Sequence, residues 1–455
     1  MNNVAKMSLW KLTWPIALEI SSVMFMYSID VWFLSSLSDH VVAGVGVAEQ
    51  FIFLMVLLFN VFANGSSMIV AQYLGAGDRQ AGMDIGRMGL VINFVVGICF
   101  SALAGLVAPY YLDFMNVSNQ VYPHALMFLM ICGTTIWVQA LSFTLSALLR
   151  VNGFTRDSMW ITIGTYGFHL FCSSAVIFGL YGIPKLGVVG AASSIVFSQL
   201  CSVIAAGIIL YRRTGLRSWN LFGISWNRQR LKAMLTIGLP SAGEEATWQI
   251  SQMLLTFIIA KLGTDALATR VYTFNIMLLM MQATIALSMG TSILVGHEIG
   301  AGNTDRAYRV VHRSFKLSLI FTGCLCLLAT VCSHPLLQLF TNNEVIVQTG
   351  VAMLFFCWIL EPGRNLNLIY IKALNASGDA KYPMLWAVIS MLGINVPLAY
   401  LLAIPLKLGL IGVWGALIVD EWLRGILMWR RWRSKRWQVI HLIDDAVRSQ
   451  PALVK

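Results

Sequence analysis

A chain of 455 residues that is 58% hydrophobic and 11% charged, with a mean hydropathy of +0.74, is too apolar for an ordinary soluble protein. It reads as a protein that crosses a membrane many times. The formal net charge of +11 raises nucleic acid as a partner, and the placement of the basic residues argues against it.

A spanning helix needs about 20 mostly apolar residues. Stretches that qualify run over 10–36, 42–74, 81–109, 121–149, 157–182, 187–211, 231–261, 266–299, 310–334, 345–374, 382–406 and 409–429. The expected fold is therefore an all-α polytopic membrane protein with twelve transmembrane helices. Lys6 and Lys11 lead into the first span, which is too long for a signal-peptide core and lacks a clear cleavage site, so it is expected to remain.

With the amino terminus placed in the cytoplasm, Lys185, Lys261, Arg270 and Lys407 fall on the outer side. Arg364, Lys372 and Arg424 fall within spans, and the other Lys and Arg residues are cytoplasmic. This is the positive-inside pattern with both termini inside, in a bacterial cytoplasmic (inner) membrane. The basic groups Arg212, Arg213, Arg217, Arg228, Arg230, Lys232 and Arg430, Arg431, Arg433, Lys435, Arg436 suit topology and anionic lipid headgroups, with no nucleic acid partner expected. The eight cysteines all lie in spans, and Cys324-x-Cys326 lacks partner ligands, so neither a disulfide framework nor a metal cluster is expected.

Shifted by 225 positions, the chain agrees with itself. Pro15 meets Pro240, Glu19 meets Glu244, Ala43 meets Ala268, GSSMIVAQYLGAG (65–77) meets GTSILVGHEIGAG (290–302), and Gly153 meets Gly378; with a three-residue slip KLGVVGAA (185–192) meets KLGLIGVW (407–414). The chain reads as a tandem duplication: an amino-terminal six-helix lobe over 1–211, a basic cytoplasmic linker over 212–230, a second six-helix lobe over 231–433 and a tail over 434–455. An even number of spans per half makes this a parallel repeat, with the substrate site expected near the bilayer midplane. There is no P-loop and no nucleotide fingerprint, which points to a secondary transporter rather than an ATP-driven one.

Ionisable residues inside a bilayer are costly, about 2.5–3.5 kcal/mol each on insertion scales, and are functional candidates by default. Asp30 has no cation near it in sequence and is a candidate site for a proton or a sodium ion. Glu19, eleven residues earlier, lies on the same helical face. Glu244 repeats the Pro-x-x-x-Glu spacing of Pro15 and Glu19, with Glu245 beside it, so each half opens with a proline-bearing helix carrying an acid one turn on. Glu361 has Arg364 three residues away, and Asp420 and Glu421 have Arg424; structural ion pairs compete with function there. His169, deep in a span, is either a proton-coupling group or a neutral structural histidine. Gln50, Gln139, Asn275, Trp248 and Met281 are candidate substrate contacts, with helix packing or lipid contact as the alternative for each.

Two six-span halves, Pro15 followed by Asp30, LGAGD at 74–78 echoed by IGAGN at 299–303, and EPGRNLN at 361–367 together resemble the multidrug and toxic compound extrusion (MATE) family over essentially the whole chain. The resemblance implies a V-shaped bundle of two lobes and cation-coupled antiport of amphipathic, often cationic drugs out of the cell, with H+ or Na+ as the coupling ion and no other cofactor. It makes Asp30 the first-span coupling acid and Pro15 its hinge. Where many sodium-coupled members carry a seventh-span glutamate and a tenth-span aspartate, this chain has Trp248 and Arg364; Glu244 and Glu361 stand about one turn away, as substitutes. His169 and Ser173 stand where fifth-span asparagines are usual. These departures favour a proton over sodium at Asp30 or Glu244. The alternatives are a lipid-linked saccharide flippase of the same superfamily, or an integral-membrane enzyme, for which no metal cluster, nucleophile with a base or cofactor motif is visible. The expected partners are small-molecule drugs and membrane lipids, with the chain acting as a monomer and not as an enzyme.

Overall fold

The computed structural model describes residues 4, 7–179, 182, 184–214 and 226–440. Much of the expected basic linker, including Arg217, and the end of the tail from 441 onward lie outside the described residues. Helices account for nearly all the rest: α1 Leu9–Ser35, α2 Asp39–Gly75, α3 Arg79–Phe114, α4 Tyr122–Phe128, α5 Ile136–Val151, α6 Thr155–Phe178, α7 Gly187–Thr214, α8 Arg228–Ala260, α9 Thr264–Gly300, α10 Thr304–Val331, α11 Ser333–Gln338, α12 Glu344–Ser377, α13 Lys381–Ala387, α14 Val396–Ala403 and α15 Gly409–Arg433. No strand occurs among the described residues.

Among the described residues, nine helical segments are long and apolar enough to cross a membrane, and ten when the bent pair Tyr122–Gly133 and Ile136–Val151 counts as one span. The two remaining expected spans are α8 and α15, 33 and 25 residues long. They carry Glu244 and Glu245, and Asp420, Glu421 and Arg424, and these lower their apolar content. Counted together, the segments make the twelve expected spans.

Two spans are not continuous α-helices, and local chemistry explains both. The fourth passes through a π-turn at Leu129–Gly133 and bends by 50° before α5. Thr135 donates its hydroxyl back to the Ile131 carbonyl at 2.7 Å, and Thr134 does the same to Met130, which diverts carbonyls from the helical ladder. The eleventh has a π-helical stretch at Val388–Asn395 just before Pro397, whose missing N–H breaks the i to i−4 pattern.

By contact clustering the chain divides into residues 1–74 with 78–238, and residues 75–77 with 239–455. In the first unit α6 packs on α1 and α7, and α5 on α3 and α7; in the second α15 packs on α12 and α14, and α10 on α12. The α3·α5, α5·α7 and α6·α7 pairs thus recur as α10·α12, α12·α15 and α14·α15, as a duplicated sequence requires. The repeated turns share a backbone reason: Gly77 and Gly302 both sit at positive φ, +86° and +76°, as do Gly153 and Gly378 at +82° and +94°. Those conformations are strained for any residue with a Cβ.

Each unit has its own apolar core. Phe33, Leu34, Val45, Phe128, Leu129, Ile177 and Ala192 cluster in the first; Leu255, Met280, Cys357, Leu360 and Trp414 cluster in the second. Lipid offers no hydrophobic drive for helix association, so close packing and interhelical hydrogen bonds must hold the bundles. Gly97 lets α3 approach α5 so closely that a Cβ there would stand 2.7 Å from the Trp137 Cα. Asn93 Nδ2 bonds Thr144 Oγ1 at 2.6 Å, and Asn365 links Thr284 and Thr322 at 2.5 Å each.

Candidate functional site

Asp30 lies four turns beyond Pro15 in α1, with Glu49 on α2, His169 on α6 and Ser194 on α7. His169 Nε2 is 2.8 Å from Asp30 Oδ1, and Ser194 Oγ is 3.4 Å from His169 Nδ1. The imidazole is buried, 3% exposed. The carboxylate that lacked a cation in sequence has a titratable partner from 139 residues along the chain.

Ser194 donates its hydroxyl to the Ala191 carbonyl at 2.8 Å, so a line of polar contacts runs from α7 through His169 on α6 to Asp30 on α1. A side chain that can carry a proton on either ring nitrogen thus faces the carboxylate.

Glu49 accepts from Tyr27 Oη at 3.1 Å and is near enough to Asp30 for their charges to interact. In a low-dielectric site two such acids are rarely both ionised. Asp30, Glu49, His169 and Ser173, with Phe33, Phe128 and Ile195, line a cavity of ≈ 20 Å³. That is room for about one water and far short of a drug-sized ligand. A sodium ion, as a hard cation, calls for several converging oxygens, whereas Asp30 Oδ1 is already engaged by a nitrogen. Among the described residues, no group of three or more His, Cys, Asp and Glu side chains could hold a metal ion.

Glu19 is held differently. Its Oε1 takes Arg150 Nη1 at 2.8 Å, Ser158 Oγ at 3.1 Å and Thr162 Oγ1 at 3.4 Å, which clamps α1 to α5 and α6. Its repeat partner Glu244 is half-buried, with Glu245 exposed beside it, and has Asn375 as a hydrogen-bond partner and the charges of Lys372 and Arg424 within electrostatic range. Pro15 is buried inside α1.

Glu361 belongs to a buried charge cluster in the second unit. It pairs with Arg364, and Arg364 Nε lies 3.5 Å from Glu421 Oε1. Arg424 Nη2 then bridges Glu421 Oε2 at 3.2 Å and Asp420 Oδ2 at 2.7 Å. Asn367 and Ser390 donate to Glu421 and Asp420 at 2.8 and 2.5 Å. Three carboxylates thus share two guanidiniums, and Glu361 Oε2 has no hydrogen-bond partner.

The residues named as substrate contacts form no single hydrogen-bonded group. Gln50 and Asn275 are exposed, as is Glu245, and Gln139, Trp248 and Met281 are half-buried; Asn275 Nδ2 donates back to Val271 O on its own helix, 3.0 Å away. Sequence reasoning missed Glu49 and Ser194 as members of the Asp30 site and Arg150 as the partner of Glu19. Glu49 carried a signal, being an acid inside a span. Ser194 and Arg150 carried none, since helix packing alone brings them in.

The sequence profile of the MatE family matches the chain twice, over residues 15–174 and 240–401, one match in each half. A Bacillus subtilis protein described as the uncharacterized transporter YisQ is 40% identical over 430 residues, covering 94% of each chain. The probable multidrug resistance protein NorM of Thermotoga maritima is 25% identical over 90% of this chain and 88% of its own. Among solved structures, the Vibrio cholerae MATE transporter VcmN superposes with a TM-score of 0.88 at 19% identity, over 96% of this chain and 99% of its own. A Pyrococcus furiosus transporter of the MOP superfamily superposes with a TM-score of 0.86 at 17% identity, over 97% and 96%; at such identities the likeness is one of fold. The paired family matches, one in each half of a duplicated membrane-spanning helical chain, establish that this protein belongs to the MATE family of transporters.

Proposed function

We propose that this chain is a proton-coupled antiporter that exports amphipathic, often cationic compounds across the bacterial cytoplasmic membrane by alternating access, with both termini in the cytoplasm. The observation that carries the reading is the 2.8 Å contact between His169 Nε2 and Asp30 Oδ1, which sets a titratable side chain against a carboxylate inside a span. A proton taken up from the outer side neutralises Asp30 or charges His169, which removes the site's net negative charge and favours release of a cationic substrate. Loss of that proton to the cytoplasm restores the carboxylate, which favours substrate capture. Pro15, which supplies no N–H to its helix, is the point where α1 yields between the two states.

A proton suits this site better than sodium because a nitrogen, a poor ligand for a hard cation, already faces the carboxylate. No organic cofactor takes part. One chain carries both halves, so a monomer suffices. The flippase alternative needs a basic cavity for a pyrophosphate, and Arg364 and Arg424 are each engaged by carboxylates.

The test is efflux of a fluorescent cationic dye from proteoliposomes, driven separately by a pH gradient and by a sodium gradient. A pH gradient is expected to drive export, and a sodium gradient alone is not. Export driven equally by sodium, or full proton-driven export by Asp30→Asn, would refute the reading.

A further inference from the structure

The exposed face of α10 changes character along its length without a break. Arg306, Arg309, Arg313 and Lys316 follow one another at three or four residues, and Ile320, Cys324, Leu327 and Val331 continue the same spacing. That spacing puts all eight on one side of the helix, and all eight are exposed. The face is basic over its first turns and apolar after them. Local structure gives no reason for the basic part. Like charges three and four residues apart weaken a helix. Arg306 Nε is held by the buried Glu298 Oε1 at 3.0 Å, but Arg309, Arg313 and Lys316 form none of the ion pairs found among the described residues. The repeat does not demand it either: 225 residues earlier, at the same places in α3, stand Ala81, Asp84, Met88 and Val91.

The α10 helix runs for 28 residues, about 42 Å at 1.5 Å per residue, against a hydrocarbon thickness of about 30 Å. Its first turns therefore stand at headgroup level, and the long side chains of Arg313 and Lys316 can reach back to that level. A basic face that runs on into a lipid-facing one fits a ligand with an anion at one end and acyl chains at the other. We infer that Arg306, Arg309, Arg313 and Lys316 form a binding face for an anionic phospholipid of the cytoplasmic leaflet, with its phosphate against the basic residues and its chains along the apolar residues that follow. This lipid contact is independent of the ion that drives transport and uses only the topology proposed above.

Native mass spectrometry of the full chain, titrated in detergent with phosphatidylglycerol or with phosphatidylcholine, counts the lipids bound. The native chain is expected to take its first phosphatidylglycerol about tenfold more tightly than phosphatidylcholine, as several basic residues at a membrane surface imply. Arg309→Gln, Arg313→Gln and Lys316→Gln together are expected to abolish that preference. Each of the three alone should weaken phosphatidylglycerol about fivefold, which keeps the comparison open if the triple variant does not fold. A matched variant, Arg212→Gln with Arg228→Gln and Lys232→Gln, removes the same charge from exposed positions elsewhere and should keep the preference within about twofold. A preference that the α10 variants retain, that the matched variant loses equally, or that the native chain lacks overturns the site. So does displacement of phosphatidylglycerol by an equal concentration of glycerol 3-phosphate, which carries the phosphate without the chains and would mark a site for soluble anions.

Discussion

Arg150 Nη1 stands 2.8 Å from Glu19 Oε1, whereas at the equivalent place in the second half Asn375 stands beside Glu244. Two acids that occupy one position in a duplicated sequence therefore differ in their partners. Glu19 is neutralised by contact and clamps three helices, while Glu244 makes no such ion pair among the described residues.

Glu19→Gln is accordingly expected to destabilise the protein by about 3 kcal/mol, because it strands a largely buried guanidinium. Glu244→Gln is expected to cost less than about 1 kcal/mol. The double variant Glu19→Gln with Arg150→Gln should recover much of the loss. Thermal unfolding in detergent, followed by tryptophan fluorescence, gives all three values, and equal melting points for Glu19→Gln and Glu244→Gln would contradict the asymmetry.

The Asp30 and His169 pair makes a stoichiometric claim. In weakly buffered detergent solution, binding of a cationic dye should release about one proton per chain from the native protein, because the carboxylate must be freed to attract the cation. Asp30→Asn should release none, and His169→Gln should move the pH at which release is half complete, since it replaces the titratable side chain that stands 2.8 Å from the carboxylate. A pH indicator records the release; an unchanged yield in Asp30→Asn would rule the pair out as the carrier.

Three carboxylates and two guanidiniums make the buried cluster of the second unit unequal in its sensitivity. Glu361→Gln removes the surplus negative charge and should change stability by less than about 1 kcal/mol or raise it. Arg424→Met leaves Asp420 and Glu421 short of their shared cation and should cost about 3 kcal/mol or more. Yield of monodisperse protein and melting temperature report the difference, and a Glu361→Gln variant as damaged as Arg424→Met would mean that the cluster needs all five charges.

Gly412 tests the packing of α14 against α15. A Cβ there would lie 2.8 Å from the Leu402 backbone carbon, and backbone cannot rotate away as a side chain can. Gly412→Val should destabilise by about 1–3 kcal/mol, while Gly415→Ala, whose Cβ would sit 3.8 Å from a Leu402 methyl, should be tolerated. Comparable melting points for the two variants would show that the helices have room to separate.

Span number, the duplication and the repeated turns were legible in the sequence because each depends on local or periodic properties: the length of apolar runs, the 225-residue register, and glycines where only glycine takes a positive φ. Asp30 stood out for a related reason, being a charge in a segment that lipid would otherwise select to be apolar. Its meaning was not legible. His169 lies 139 residues away, Ser194 is an unremarkable serine, and Arg150 gave no sign that it would close on Glu19. Such pairings depend on the rotation and depth of helices against one another, which no single helix encodes. The sequence alone thus establishes a duplicated helical membrane protein with acids in its spans. Tertiary packing decides which acid is clamped by an arginine and which is set against an imidazole, because in a low-dielectric interior a carboxylate is defined by the group that faces it.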